Sequence, residues 1–362
     1  MMNSRDYEYI QRCFELARNG RGLVSPNPLV GAVIVKDDEV ISEGYHKKYG
    51  ADHGEADAIF STDRDLTGAT LYCNLEPCCH TDKQTPPCVP LIIKSGIKRV
   101  VFSNLDPNPA VNGNGVLKLT AAGIEVTSGV FADYGEKLNR FYFKTVRKKI
   151  PYITVKIAQS KDGMINSPGS QRTKITSENA DIFVHHQRSI FDAVLVGANT
   201  INVDNPRLTV RKVNGRNPIR VIIDGALTSR INSNVFNDEW KNLTWIFTSK
   251  TADDDKKKKL RDKGVRIIEM FPDSTGKLDM CVVTRLLYSK NIGSVFVEGG
   301  ADIFSQFIRK DLIDEMIILE SPAIFGKGIQ AFEGEIQQNL KLESIEALPP
   351  DEKRIFKRID SV

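Results

Sequence analysis

A chain of 362 residues, 41% hydrophobic and 27% charged, has room for two domains of ordinary size and is too apolar to stay unfolded. Its formal net charge of +4 is small for that length, which argues against a large basic face for nucleic acid but leaves room for a local phosphate pocket. Polar and acidic residues stand where the apolar stretch of a secretory signal belongs, and no apolar run approaches a membrane span, so a cytoplasmic protein without a membrane partner is expected.

Residues 5–19 place Tyr9, Cys13, Leu16 and Ala17 near helical spacing. "LVGAVIVKDDEVISEGY" reads as a hairpin with Asp37 and Asp38 at its turn. A helix starting at "ADAIFS", a strand "ATLYCNLEP", a helix "VPLIIKSG" ending at Gly96, and a strand "RVVFSNLDPNP" running into a turn follow in order. Such alternation predicts an α/β layer. The basic, Pro-containing stretch "KTVRKKIPY" (144–152) interrupts it, and a second α/β series follows, with buried strands at "ITVKIA", "DAVLVG", "IRVIID", "LTWIFTS", "SVFVEGG" and "EMIILE". The expected domains are therefore residues 1–147 and 148–362. The run "DDDKKKKLRDKG" (253–264) reads as an exposed helix with acids in its first turn and a Gly stop.

Three of the six cysteines fall in "LEPCCHTDKQTPPC", residues 75–88. In a reducing compartment such a cluster reads as metal-binding or catalytic before it reads as a disulfide. Upstream lies His53-Gly54-Glu55, ahead of a helical pattern. His53, Cys78 and Cys88 offer one nitrogen and two sulfur donors; three protein ligands leave one tetrahedral position of zinc open, whereas structural zinc closes all four. Zinc lowers the pKa of bound water to roughly 7. A carboxylate that is not a ligand must then move protons, and Glu55 in a first helical turn fits. H-x-E followed by P-C and a second Cys is the zinc-deaminase arrangement. Cys79 could substitute as ligand, but the Pro-Cys pair at a strand end favours Cys78 and leaves Cys79 a packed thiol.

In the second half, "SVFVEGGADIFSQFI" is strand, two glycines, then helix. Gly299 and Gly300 let the backbone approach a ligand, and the helix opening at Ala301 offers N–H groups to a pyrophosphate. A mere tight connection is the alternative. No G-x-G-x-x-G is present there, which argues against a Rossmann domain.

Collinear across nearly the whole chain, these fragments resemble the family of bifunctional riboflavin-biosynthesis deaminase/reductases. "SPNPLVGAVIV", "GYHKKYGADHGE", "LEPCCH…TPPC" and "DPNPAVNGNGV" carry the likeness in the first half. "VKIAQSKDG", "VHHQRSIFDAVLVGANTINVDNPRLTVR", "VEGGADIFSQFI" and "LIDEMI" carry it in the second. The resemblance implies a cytidine-deaminase-like three-layer domain followed by a dihydrofolate-reductase-like α/β domain. It implies zinc-dependent deamination of 2,5-diamino-6-ribosylamino-4(3H)-pyrimidinone 5′-phosphate and then NADPH-dependent reduction of the ribosyl group to ribityl. A pyrimidine ribosyl phosphate is then the small-molecule partner, no nucleic acid is involved, and a homo-oligomer is expected.

Carried over by position, the resemblance assigns Asn27, His46, His80, Lys83, Asp106 and Asn108 to the deaminase substrate. Lys156 and Glu298 would bracket the sugar C1′ as catalytic residues, with Arg188, Leu208 and Arg211 also on the substrate. Ala158, Lys174, Thr200 and Asp204 would join Gly299, Gly300 and Ala301 on the cofactor. Without the resemblance, "PNP" and "DPNP" read first as rigid turns. His185 and His186 read as structural or surface residues. Three departures stand out: Gly54 replaces the usual Ala, the loop between Cys78 and Cys88 is one residue longer than usual, and Lys174 occupies a position generally Trp. Two rivals remain. A nucleoside or nucleic-acid base deaminase with an accessory domain would need stacking aromatics and a basic channel, which the loops near His53 and Cys88 lack. A non-catalytic zinc-stapled binding protein would need four closed ligands and no Glu55.

Overall fold

The chain divides between Lys149 and Ile150 into two units. The structure, a computed structural model, describes residues 4–81, 84–166, 174–332 and 339–359. No helix among them is long and apolar enough to cross a membrane.

In the first unit α1 (Ser4–Arg18) precedes a hairpin of β1 (Gly31–Lys36) and β2 (Glu39–Tyr45). Asp37 and Asp38 at its turn have φ of 51° and 64°, the left-handed pair that a two-residue hairpin loop requires. There follow α2 (Gly54–Phe60), β3 (Thr70–Leu75), α3 (Cys88–Lys94), β4 (Arg99–Asn104), α4 (Asn114–Ala121), β5 (Glu125–Thr127), α5 (Ala132–Leu138) and α6 (Arg140–Lys148). One sheet runs β2-β1-β3-β4-β5, with β1 antiparallel to both neighbours and β3, β4 and β5 parallel. Strand residues alternate between faces. Ile34, Leu71 and Phe102 pack with Ala58 of α2, Ile92 of α3 and Leu119 of α4. On the other face Val33, Tyr72 and Val101 pack with Ile10, Cys13 and Phe14 of α1 and Leu138 of α5. The result is three layers.

The helix expected over 5–19 is α1, and it also buries Asp6 completely. Arg99 grips that carboxylate at 2.8 and 2.9 Å, and the Tyr72 hydroxyl donates to it at 3.0 Å. Pairing of this kind is what makes a buried acid tolerable. The basic stretch at 144–152 is no linker at its start: Arg147 lies within α6.

The second unit runs β6 (Tyr152–Ser160), α7 (Glu178–Ile190), β7 (Ala193–Gly197), α8 (Ala198–Asp204), β8 (Ile219–Ile223) and β9 (Thr244–Ser249). It continues through α9 (Asp254–Asp262), β10 (Arg266–Met270), α10 (Met280–Tyr288), β11 (Ser294–Val297), α11 (Ala301–Arg309) and β12 (Glu315–Ser321). The chain closes with β13 (Leu340–Leu348) and β14 (Asp351–Arg358). The sheet order is β10-β9-β8-β7-β11-β6-β12-β14-β13. Neighbours are parallel from β10 to β12, while β14 is antiparallel to both β12 and β13. Val155, Leu195 and Val297 face α10 and α11 through Val283, Leu287 and Phe307. Val196 and Ile222 face Ile201 of α8 and Leu260 of α9.

Residues 253–264 form the expected helix, with Asp253 accepting from Lys256 N at 2.9 Å and Gly264 at φ 90°. The helix is not wholly exposed, however. Lys257 is fully buried, its ammonium donating to Lys250 O, Asp254 and Glu269.

Candidate active sites

One strand end and two helix starts build the first site. β3 hands the chain on to Glu76-Pro77-Cys78, and α3 opens at Cys88. His53 is the N-cap of α2, extended at φ −71° and ψ 162°. Its Nδ1 lies 3.5 Å from Cys78 Sγ and 3.7 Å from Cys88 Sγ. The three donor atoms lie within 4.8 Å of one another, and no further His, Cys, Asp or Glu joins the group among the described residues. One nitrogen and two sulfurs at this spacing fit a tetrahedral zinc with one position left for water. Thr85 Oγ1 stands 3.4 Å from His53 Nε2, on the ring's other nitrogen.

Glu55, in the first turn of α2, is 2% exposed and lines the adjoining cavity. The helix start thus separates a donor just outside it from a carboxylate just inside it. Gly54 between them has a packing reason: a Cβ there would lie 2.8 Å from Val30 O. Cys79 turns elsewhere, its thiol directed at Ala110 O at 3.7 Å.

The cavity encloses about 330 Å³ and is lined by Asn27, His53, Glu55, Cys78, His80, Asp106 and Asn108. His46 is buried beside it. Its Nδ1 is 2.8 Å from Asp52 O, an acceptor, which makes Nδ1 the donor and leaves Nε2 to accept from the Asn27 amide at 3.2 Å. His80 Nδ1 is buried without a hydrogen-bond partner. Lys83 lies outside the described residues.

Glu76 and Tyr142 also line the cavity, and the sequence reading named neither. The Tyr142 hydroxyl, from α6, donates to Asp106 Oδ1 at 2.8 Å, and Asn108 N donates to the same oxygen at 2.8 Å. Burial raises the Asp106 carboxyl to about 6 in spite of these donors.

In the second unit Lys156 lies in β6 and Glu298 just past the end of β11, the parallel strand beside it, with Nζ 3.8 Å from Oε2. Arg188 of α7 reaches the same carboxylate through Nε at 2.6 Å and Nη2 at 2.8 Å, and its Nη1 donates to Thr209 O at 3.2 Å. Burial works against the Glu298 carboxylate, but Arg188 and then Lys156 outweigh it and hold its carboxyl below the ordinary range. Burial pulls the Lys156 ammonium down, with Glu298 opposing. Arg211 Nη1 donates to Thr209 Oγ1 at 2.7 Å, while its backbone N donates to His185 Nδ1 at 2.9 Å. Leu208, on the same segment, is buried and left-handed at φ 57°.

A cavity of about 400 Å³ lies at the carboxyl end of the same sheet, lined by Gly197, Asn199, Thr200, Gly300 and Ala301 among others. Gly299 sits against the neighbouring strand, where a Cβ would lie 2.5 Å from Val196 Cα. Gly300 and the start of α11 suit a pyrophosphate, whereas Gly299 does not line the cavity. Lys156, Ala158, Asp204 and Glu298 do not line this cavity. Lys174 is exposed and pairs with Asp181 at 3.2 Å and Glu178 at 3.8 Å, both in the first turn of α7.

Residues 151–353 match the family model of the RibD C-terminal domain, and residues 3–104 match that of the cytidine and deoxycytidylate deaminase zinc-binding region. The riboflavin biosynthesis protein RibD of Bacillus amyloliquefaciens is 40% identical over 88% of this chain and 85% of its own. RibD of Aquifex aeolicus is 36% identical over 99% of this chain and 100% of its own. The crystal structure of a diaminohydroxyphosphoribosylaminopyrimidine deaminase/5-amino-6-(5-phosphoribosylamino)uracil reductase from Thermotoga maritima is 38% identical, covers 98% of both chains and gives a TM-score of 0.87.

Proposed function

The chain belongs to the RibD family of riboflavin-biosynthesis proteins, and from that premise we propose that its first unit carries the deamination and its second the reduction. It is a bifunctional enzyme, a zinc-dependent deaminase and an NADPH-dependent reductase, acting on a small-molecule pyrimidine. Its substrates follow the name of the Thermotoga relative: a diaminohydroxyphosphoribosylaminopyrimidine is deaminated, and the resulting 5-amino-6-(5-phosphoribosylamino)uracil is reduced.

His53, Cys78 and Cys88 would hold the zinc, which would supply an acidified water, and NADPH would supply the hydride. Glu55 takes a proton from the attacking water and returns it to the departing amino nitrogen. Asn27 holds a ring edge, its amide steered by His46. Asp106 and Asn108 hold ribose hydroxyls or ring nitrogens. In the second unit Lys156 and Glu298 bracket C1′. Lys156, its ammonium already pulled down by burial, gives a proton to the ribose ring oxygen as the ring opens. Arg211 meets the phosphate, and Gly300 with the start of α11 receives the cofactor's pyrophosphate.

The observation that carries this reading is the His53–Cys78–Cys88 group with buried Glu55 beside it. Incubating the protein with the diaminopyrimidine substrate, with and without NADPH, tests it by product mass. Without NADPH an amino group is exchanged for oxygen; with it the product gains two hydrogens more. A product that gains hydrogen without first losing nitrogen would reverse the proposed order.

A further inference from the structure

Glu76 stands between Leu75, the last residue of β3, and the Pro77-Cys78 pair, and none of the chemistry above uses it. Its side chain is buried, with the residue 2% exposed. Each carboxylate oxygen accepts two backbone N–H groups. Oε1 takes Gly115 N at 3.0 Å and Val116 N at 3.2 Å; Oε2 takes Asp106 N at 3.2 Å and Gly113 N at 3.0 Å. Such charge-assisted bonds are the strong ones, and here one group gathers four.

The donors explain why it is needed. α4 begins behind Gly113, which sits at φ 80° and has no side chain to cap the helix. The first N–H groups of a helix have no partner within it. Glu76 takes them from a different part of the fold, and a carboxylate also suits the positive end of the helix dipole. The joint is tight: a Cβ on Gly115 would lie 2.5 Å from Pro77 O and 2.9 Å from Glu76 Oε1. The start of α4 therefore presses on the very turn that carries Cys78. The "VNGNGV" run is the counterpart of this carboxylate.

We propose that Glu76 is the positioning residue that locks the segment 106–113, with Asp106 and Asn108, to the turn that presents Cys78. Its two anchor points on that segment, Asp106 N and Gly113 N, lie at its two ends. The inference rests on the reading of Asp106 and Asn108 as substrate contacts.

Glu76→Gln keeps the shape but replaces an oxygen that accepts two N–H groups with an NH2 that opposes them. The full-length zinc enzyme is expected to keep its zinc while its deaminase KM rises about tenfold, with kcat changing less. Reduction of the deaminated substrate by the same protein stays at the wild-type rate. In an Asp106→Asn background, Glu76→Gln should add at most about twofold, because the contact it positions is already lost. Gly115→Ala attacks the same joint from α4, should give the same KM signature, and decides the matter if Glu76→Gln is insoluble. An unchanged KM in Glu76→Gln and Gly115→Ala, while Asp106→Asn raises it, overturns the inference and leaves the substrate reading standing. Asp106→Asn with an unchanged KM removes that reading and the inference with it. Loss of zinc with activity falling in proportion, at constant KM, makes Glu76 scaffold only and overturns the inference as well.

Discussion

Arg188 holds Glu298 with two prongs, Nε to Oε1 at 2.6 Å and Nη2 to Oε2 at 2.8 Å, and the two side chains are only 10% and 7% exposed. Deleting one partner of such a pair leaves the other charge buried alone, at a cost of about 3–5 kcal/mol. Arg188→Ala should lower the stability of the second unit by that order and abolish reduction. Zinc content and deamination should survive. Denaturant unfolding combined with both activity assays checks this, and a fully stable variant would mean the pair contributes little.

Glu55→Gln should retain stoichiometric zinc and lose deamination by roughly 10²–10⁴-fold, the usual worth of a general acid–base. Metal analysis and single-turnover assays measure the two halves of that statement. Activity within a few-fold of wild type would assign the proton transfer to another group.

Cys78→Ser should lose its zinc, whereas Cys79→Ser, whose thiol points to Ala110 O, should keep it. Chelator competition reads the difference directly. The reverse order would move the ligand by one position.

His185 accepts the Arg211 N–H through Nδ1. Burial first, and then Arg188 and Arg211, lower its pKa from 6.5 to about 4. Folding therefore favours the neutral ring. Above 6.5 the ring is neutral in folded and unfolded chains alike, and its stabilising contribution is complete. As the pH falls from 6.5 toward 4, the unfolded chain takes up a proton that the folded one refuses, so stability drops; below that window no further loss accrues from this group. An NMR titration should place the His185 midpoint near 4. His185→Gln should show a shallower acid loss of stability across the same window.

A fragment beginning at Ile150, where the two units part, should fold and bind NADPH without zinc, because it contains the glycine pair, α11 and the sheet beneath them. Fluorescence titration measures the binding. A folded fragment that fails to bind would show that the cofactor site draws on the first unit.

The zinc donors were legible because each sits in a short local motif whose residue types already imply the chemistry. Glu76 was not, since its partners Gly115 and Val116 lie up to 40 positions further on and nothing beside it announces them. Tyr142 was hidden by its neighbours: Lys144, Arg147 and Lys148 make α6 look like a basic linker, although Phe143 and Thr145 are buried. The strands β13 and β14, "LKLESIEAL" and "DEKRIFKR", carry so much charge that no buried run marks them; they sit at one edge of the sheet, where such residues reach water. Lys257 misled in the opposite sense, because a lysine run in sequence hides which one turns inward.

The place of β6 in its sheet sets the order in which the chain can be completed. Both of its neighbours, β11 and β12, come from residues 294–321. On the ribosome the first unit has all its strands by Thr127, but Tyr152–Ser160 emerges as an apolar strand with no native partner until Ser294 follows. Pairing across so long a separation is slow, and the waiting segment is open to aggregation. The second unit is therefore expected to be the more aggregation-prone of the two while it is being synthesised, and chains ended ahead of Ser294 should partition into the insoluble fraction.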